Sequence, residues 1–72
     1  MIALTNATQN GAYKIVFIWG GLRRKAALAR MGLRCGERLR VMSLPREGAV
    51  WIHTKNAQIA LSRESARRIL IK

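Results

Sequence analysis

Aspartate is absent, and the only acidic residues are Glu37, Glu47 and Glu64. Against these three stand fourteen lysines and arginines, ten of them arginine, for a net charge of +11. A surface this one-sided repels copies of itself and attracts acidic protein faces, anionic lipid headgroups or nucleic acid. Cys35 is the single cysteine, so no internal disulfide forms. Small secreted domains usually carry several, which makes a reducing, cytoplasmic compartment the expectation. The longest apolar run, Ile15–Trp19, is far too short to cross a bilayer. The N-terminus lacks the basic region and apolar stretch of a secretion signal.

The same scarcity bears on chemistry. His53 is the single histidine, and Glu37 is the only carboxylate near Cys35 in sequence. A zinc or iron site normally takes three or four ligands from Cys, His and carboxylates, and no paired ligand spacing occurs here. The expectation is no metal site and no cofactor, with Cys35 in a turn and His53 on the surface. A Cys35–His53 nucleophile couple would lack an orienting third group and an oxyanion hole. Gly20-Gly21 lacks the longer spacing and the Lys-Ser/Thr end of a phosphate-binding loop, and reads as a strand-to-helix turn. The chain is therefore expected to be no enzyme and to have no small-molecule substrate.

What is present points to one small, mainly β domain over residues 1–72. Half of the residues are apolar, enough for a core and too many for a disordered chain. Met1–Leu4 is a short apolar opening suited to a sheet edge, and Asn6–Gly11 is turn-forming. Ala12–Trp19 is the clearest strand. Its alternation puts Tyr13, Ile15, Phe17 and Trp19 on one face and Lys14, Val16 and Ile18 on the other. Both faces are largely apolar, so the strand should be central. Leu22–Met31 is built of helix formers, with Leu22, Ala26 and Ala29 on a stripe expected to pack on the body and Leu28 and Met31 beside it. Gly32 should stop the helix in a left-handed conformation, bringing Leu33 back onto Leu28. Gly36 allows a second sharp turn.

Glu37–Leu44 alternates with Leu39 and Val41 inward and Arg38 and Arg40 outward. Pro45–Gly48 is a turn. Ala49–Thr54 is a strand with Val50, Ile52 and Thr54 on one face and Trp51 and His53 on the other. Lys55-Asn56 is a two-residue hairpin turn in which Asn tolerates positive φ, and Ala57–Leu61 returns as a strand. Ser62 caps a short helix over Arg63–Arg68, and Ile69–Ile71 is a final strand. Five or six short strands with one inserted helix and one short C-terminal helical turn predict a small β-barrel, which also hides its sheet edges.

The order of these parts resembles the FeoA family. Gly20-Gly21, then Leu28-Ala-Arg-Met-Gly-Leu33 with Gly36, is similar to that family's glycine turn and its Leu-x-x-Leu-Gly-(Leu/Ile)-x-Pro-Gly segment. Ser43-Leu44-Pro45 with Gly48 is similar to its Ala-Pro-Leu-Gly hairpin, with the order changed. Ile59-Ala-Leu-Ser-Arg-Glu-Ser-Ala66, followed by Ile69, is similar to its closing Ile-Ala-Leu-Arg-x-x-x-Ala-x-x-Ile. Three positions depart from the pattern. Cys35 replaces the turn proline, Ala27 stands where arginine is usual, and Met31 stands where leucine is usual. The surface is also more basic than the family pattern leads one to expect. The resemblance implies an SH3-like barrel. It also implies a small cytoplasmic accessory protein that binds and regulates FeoB, the membrane GTPase transporter of bacterial ferrous iron uptake, and is recruited peripherally to the inner membrane.

The residues themselves offer a basic face for such a partner. Arg23, Arg24, Lys25 and Arg30 share one helix, Arg34, Arg38 and Arg40 follow, and together with Arg67 and Arg68 they are expected to form one basic face. Soluble shells usually mix signs, and this one does not. Arg23, Arg24, Arg30 and Trp51 are the candidate partner contacts, an exposed Trp being a common interface anchor. Gly20, Gly21, Gly32, Gly36 and Gly48 are the expected structural turns. Anionic membrane is a further attraction. The alternative is a nucleic-acid-binding basic barrel, against which stand the few aromatics, expected to be committed to strand faces rather than to a stacking platform.

Overall fold

A computed structural model describes all 72 residues. Six strands and two helices follow one another along the chain. They are β1 (Ile2–Ala3), a 3-10 turn (Leu4–Asn6), β2 (Ala12–Ile18), α1 (Leu22–Arg30), β3 (Arg38–Ser43), β4 (Val50–His53), β5 (Gln58–Leu61), α2 (Arg63–Ala66) and β6 (Ile69–Ile71). The strands form one antiparallel sheet in the order β1-β6-β2-β3-β4-β5. β2 is central, held by β6 on one side and β3 on the other. The mainly β fold expected from the alternation is the one adopted. Its ends, however, are not joined by a β1–β5 ladder. β1 is only two residues long, and α2 packs between β5 and the 3-10 turn instead. Ala66 of α2 is fully buried there. A short edge strand and a helical cover protect the sheet edges without hydrogen-bonded closure.

The period-two reading holds on β3, β4 and β5. Leu39, Val41, Val50, Ile52, Ile59 and Leu61 face the core, and Arg38, Arg40, Trp51 and His53 face out. Ile15, Ile18, Ile69 and Ile71 join them from β2 and β6, with Leu4, Leu28 and Leu33 filling the ends of the core.

Three expectations are corrected. On β2, pairing with β6 steps from Ile15↔Ile71 to Phe17↔Leu70, which leaves Val16 as an extra residue. That bulge reverses the phase. Ile15 and Ile18 both point inward, and Phe17 and Trp19 are exposed rather than sharing a buried face with Ile15. On α1, the stripe of Leu22, Ala26 and Ala29 does not pack on the body. Only Leu28 is buried, Ala29 is half-buried, Ala26 is exposed and Leu22 is 85% exposed. The helix touches the core through its C-terminal half alone. Third, Lys55-Asn56 does connect β4 to β5, but Asn56 has no positive φ, which among non-glycines is found only at Asn10. The Thr54 hydroxyl supports the turn, accepting from Asn56 N–H at 3.4 Å, while Thr54 N–H donates to the Ala57 carbonyl at 2.9 Å.

Both helix termini follow their sequence signals. Gly32 has φ +87°, its N–H donates to the Ala29 carbonyl at 2.9 Å, and Leu33 N–H donates to the Leu28 carbonyl at 3.0 Å. This is the paired bond pattern of a glycine helix stop, with Leu28 and Leu33 both buried beside it. Ser62 Oγ accepts from Ser65 N–H at 3.1 Å and caps α2. That helix ends at Ala66 rather than Arg68, because Arg68 already turns its carbonyl to Trp19 N–H at the β2 end.

Candidate functional site

Helix α1 starts against its own dipole. Its first residues are Leu22, Arg23, Arg24 and Lys25, with no acidic residue in the first turn and no side chain capping Gly21. The unsatisfied N–H groups of a helix N-terminus carry partial positive charge, so three cations there are unfavourable. A helix selected for stability alone would place Asp, Glu or Ser at these positions.

Beside this terminus lies a groove of about 340 Å³, lined by Gly20, Arg23, Arg24, Ala27, Leu28, Met31 and Ser65. Its lining combines apolar Ala27, Leu28 and Met31 with two arginines. Gly20 (φ +115°) makes the close approach possible. A Cβ there would sit 2.8 Å from Arg24 Cδ and 3.0 Å from Arg68 Cδ. Gly21, Gly36 and Gly48 also have positive φ and turn the chain at α1, β3 and β4 respectively.

The four candidate contacts are not one patch. Arg23 and Arg24 meet in the groove. Arg30 is exposed in the last turn of the same helix, where a cation suits the dipole, and does not line the groove. Trp51 is 45% exposed on the outer face of β4, opposite Ser43 of β3 and Ala60 of β5. The single basic face expected from the sequence is also divided. Arg67 and Arg68 both bind the Glu64 carboxylate, Arg68 Nη2 at 2.5 Å. The Arg68 hydrogen bond, then the Arg67 charge, with a smaller share from Arg24, hold the Glu64 carboxyl below its ordinary range. Arg38 and Arg40 lie on the outer face of the sheet.

Sequence reasoning missed Met31 and Ser65 as groove residues and Glu64 as the ion-pair partner of both Arg67 and Arg68. The spacing Glu64–Arg67 and Glu64–Arg68, three and four apart on a helix, was the available signal. Cys35 is exposed in the turn before β3, and His53 is exposed on β4. No three His, Cys or carboxylate side chains come together, and no helix is long and apolar enough to cross a membrane.

The model of the FeoA domain matches residues 2–72. The chain belongs to the FeoA family. The family is a non-enzymatic accessory domain of ferrous iron transport. The crystal structure of an iron uptake regulatory protein, FeoA, superposes with a TM-score of 0.88 at 22% identity, covering 99% of this chain and 93% of that one. ScaR with bound Zn²⁺ matches all of this chain with 36% of its own, at TM-score 0.89 and 19% identity. The manganese regulator SloR matches 99% of it with 34% of its own, at TM-score 0.85 and 21% identity. These likenesses establish the SH3-like FeoA fold, which occupies about a third of ScaR and of SloR. Comparison with curated protein sequences gave no match.

Proposed function

We propose that this FeoA-family protein is a cytoplasmic accessory protein of bacterial ferrous iron uptake. It docks α1 and its groove on an acidic surface of a FeoB-type membrane GTPase transporter, at the GTPase or membrane-proximal region, and so regulates transport. The observation that carries this reading is the electrostatically misplaced first turn of α1. Arg23, Arg24 and Lys25 lower the stability of the isolated helix, and a carboxylate-bearing partner would relieve that cost. The solvent-facing Leu22, Ala27 and Met31 supply apolar contact at the same place. Ala27 and Met31, two of the positions that depart from the family pattern, both line the groove, which fits a groove shaped to a particular partner. Steering by net charge would speed encounter and make it sensitive to salt.

The test is binding of the purified chain to the detergent-solubilised transporter, at low and at physiological salt. Arg23→Glu with Arg24→Glu is expected to weaken binding about tenfold or more at low salt. Unchanged affinity of this variant would reject the α1 surface. Generic duplex DNA is the comparison ligand. Single-stranded nucleic acid is usually held on aromatic stacking platforms, and here Arg68 already lies over one face of Trp19 while Trp51 stands alone on β4. Tight, length-dependent DNA binding at physiological salt would favour a nucleic-acid function instead.

A further inference from the structure

We infer that the outer face of β6, β2 and β3 is a contact surface for an anionic lipid bilayer, separate from the α1 groove. Three cations stand abreast on it. Lys14 and Lys72 exchange both backbone hydrogen bonds, at 3.1 and 2.9 Å, and Lys14 is the register partner of Arg38. Their side chains line one depression of about 270 Å³. Like charges directly opposite on neighbouring strands are destabilising. Nothing in the chain offsets them, since both of its ion pairs are made by Glu64, and Glu37, next to Arg38, makes none. The fold thus holds a row of free cations at a cost to its own stability.

The row borders an apolar groove. Beyond the inward-facing Ile15↔Ile71 pair, Phe17 pairs with Leu70, and the bulge at Val16 throws Phe17 outward to 49% exposure. Val16, Phe17 and Leu70 line an open groove of about 530 Å³, with Lys72 on its rim and in the cationic depression as well. Cations beside an exposed aromatic and aliphatic strip are the two halves of interfacial membrane binding. Lysine and arginine meet headgroup phosphates, and the apolar strip enters the acyl boundary. A nucleic-acid backbone would use the row and leave the groove empty. A second copy would bring another net +11 and another row of cations to the same contact.

The experiment is co-sedimentation of the full chain with vesicles of phosphatidylcholine alone and of phosphatidylcholine mixed with phosphatidylglycerol. Retention is expected on the phosphatidylglycerol vesicles only. Lys14→Ala with Lys72→Ala should lower the partition coefficient about 25-fold, from about fivefold per cation near the surface. Phe17→Ser should lower it about tenfold at unchanged charge. Arg46→Ala, which removes one charge from the turn before β4, should change it by less than about twofold. These positions are exposed, and circular dichroism of each variant checks the fold, with Arg38→Ala as a second probe of the row. Three results would overturn the inference. They are an Arg46→Ala effect equal to that of one lysine, indifference to Phe17→Ser, and a lysine-dependent preference for duplex DNA over vesicles. No transporter is present in this assay, so its failure leaves the transporter reading untouched, and the reverse also holds.

Discussion

The guanidinium carbon of Arg68 lies over the Trp19 indole, 4.5 Å from the ring centre, and the same two residues are joined through their backbones, Trp19 N–H donating to the Arg68 carbonyl at 3.0 Å. This contact ties the end of β2 to the segment after α2, where no strand pairing remains. Arg68 also reaches Glu64, so one side chain serves both a stacking contact and an ion pair. Arg68→Ala is expected to cost about 1 kcal/mol in urea unfolding and to red-shift Trp19 emission. Arg67→Ala, which removes only an exposed ion-pair partner, should move the midpoint much less.

Stability should fall in acid partly through Glu64. Its carboxyl is held below the ordinary range by Arg68 and Arg67, so the folded state binds that proton less readily than the unfolded chain. Its contribution is present above the unfolded value and is lost as pH falls through the depressed folded one. Thermal midpoints measured from neutral to acid pH should decline more steeply in the native chain than in Glu64→Gln. Parallel declines would assign the acid sensitivity elsewhere.

Two leucines of α1 should behave in opposite ways. Leu28, only 2% exposed, anchors the helix to the core, and Leu28→Ala should cost about 2–5 kcal/mol through lost burial and the cavity left behind. In a domain this small such a loss leaves a large unfolded fraction. Leu22, 85% exposed, contacts little, and Leu22→Ser should leave the unfolding midpoint where it is. Equal destabilisation by both would mean that the helix lies flat on the body.

This contrast shows where the sequence was legible. Leu39, Val41, Val50 and Ile52 were readable because alternation is a local rule, and β3 and β4 obey it at these positions. Ser62 and Gly32 were readable because caps are written within a few residues of a helix end. The reversal at Val16 was not, since the bulge arises from pairing with β6, more than fifty residues away in the chain. Nor was the exposure of Leu22 and Ala26. Helical spacing defines a stripe, but not whether the body of the protein reaches it. At the candidate site, Arg23 and Arg24 were legible as helical cations. Their meeting with Met31 and Ser65 in one groove needed α2, which approaches α1 only in the folded chain.

Glycine substitutions should separate backbone strain from crowding. At Gly32, φ is +87° and an added Cβ meets nothing within 4 Å, so Gly32→Ala should cost about 1–2 kcal/mol through the left-handed backbone alone. Gly32→Asn should cost less. At Gly20 the backbone is also strained for a side chain, and an added Cβ meets both Arg24 and Arg68. Gly20→Ala should therefore cost more than Gly32→Ala and also disturb Trp19 fluorescence. Calorimetric midpoints of the three variants check the ranking.

Hydrogen exchange on the chain, free and saturated with a FeoB-type transporter, tests the central claim most directly. The first turn of α1 is uncapped and exposed, so its amides should exchange quickly in the free protein. Binding is expected to slow exchange across Leu22–Arg30 and to leave the edge strand Gln58–Leu61 unchanged. Saturated binding with α1 exchange unaltered, and protection confined to β4 and β5, would contradict the account.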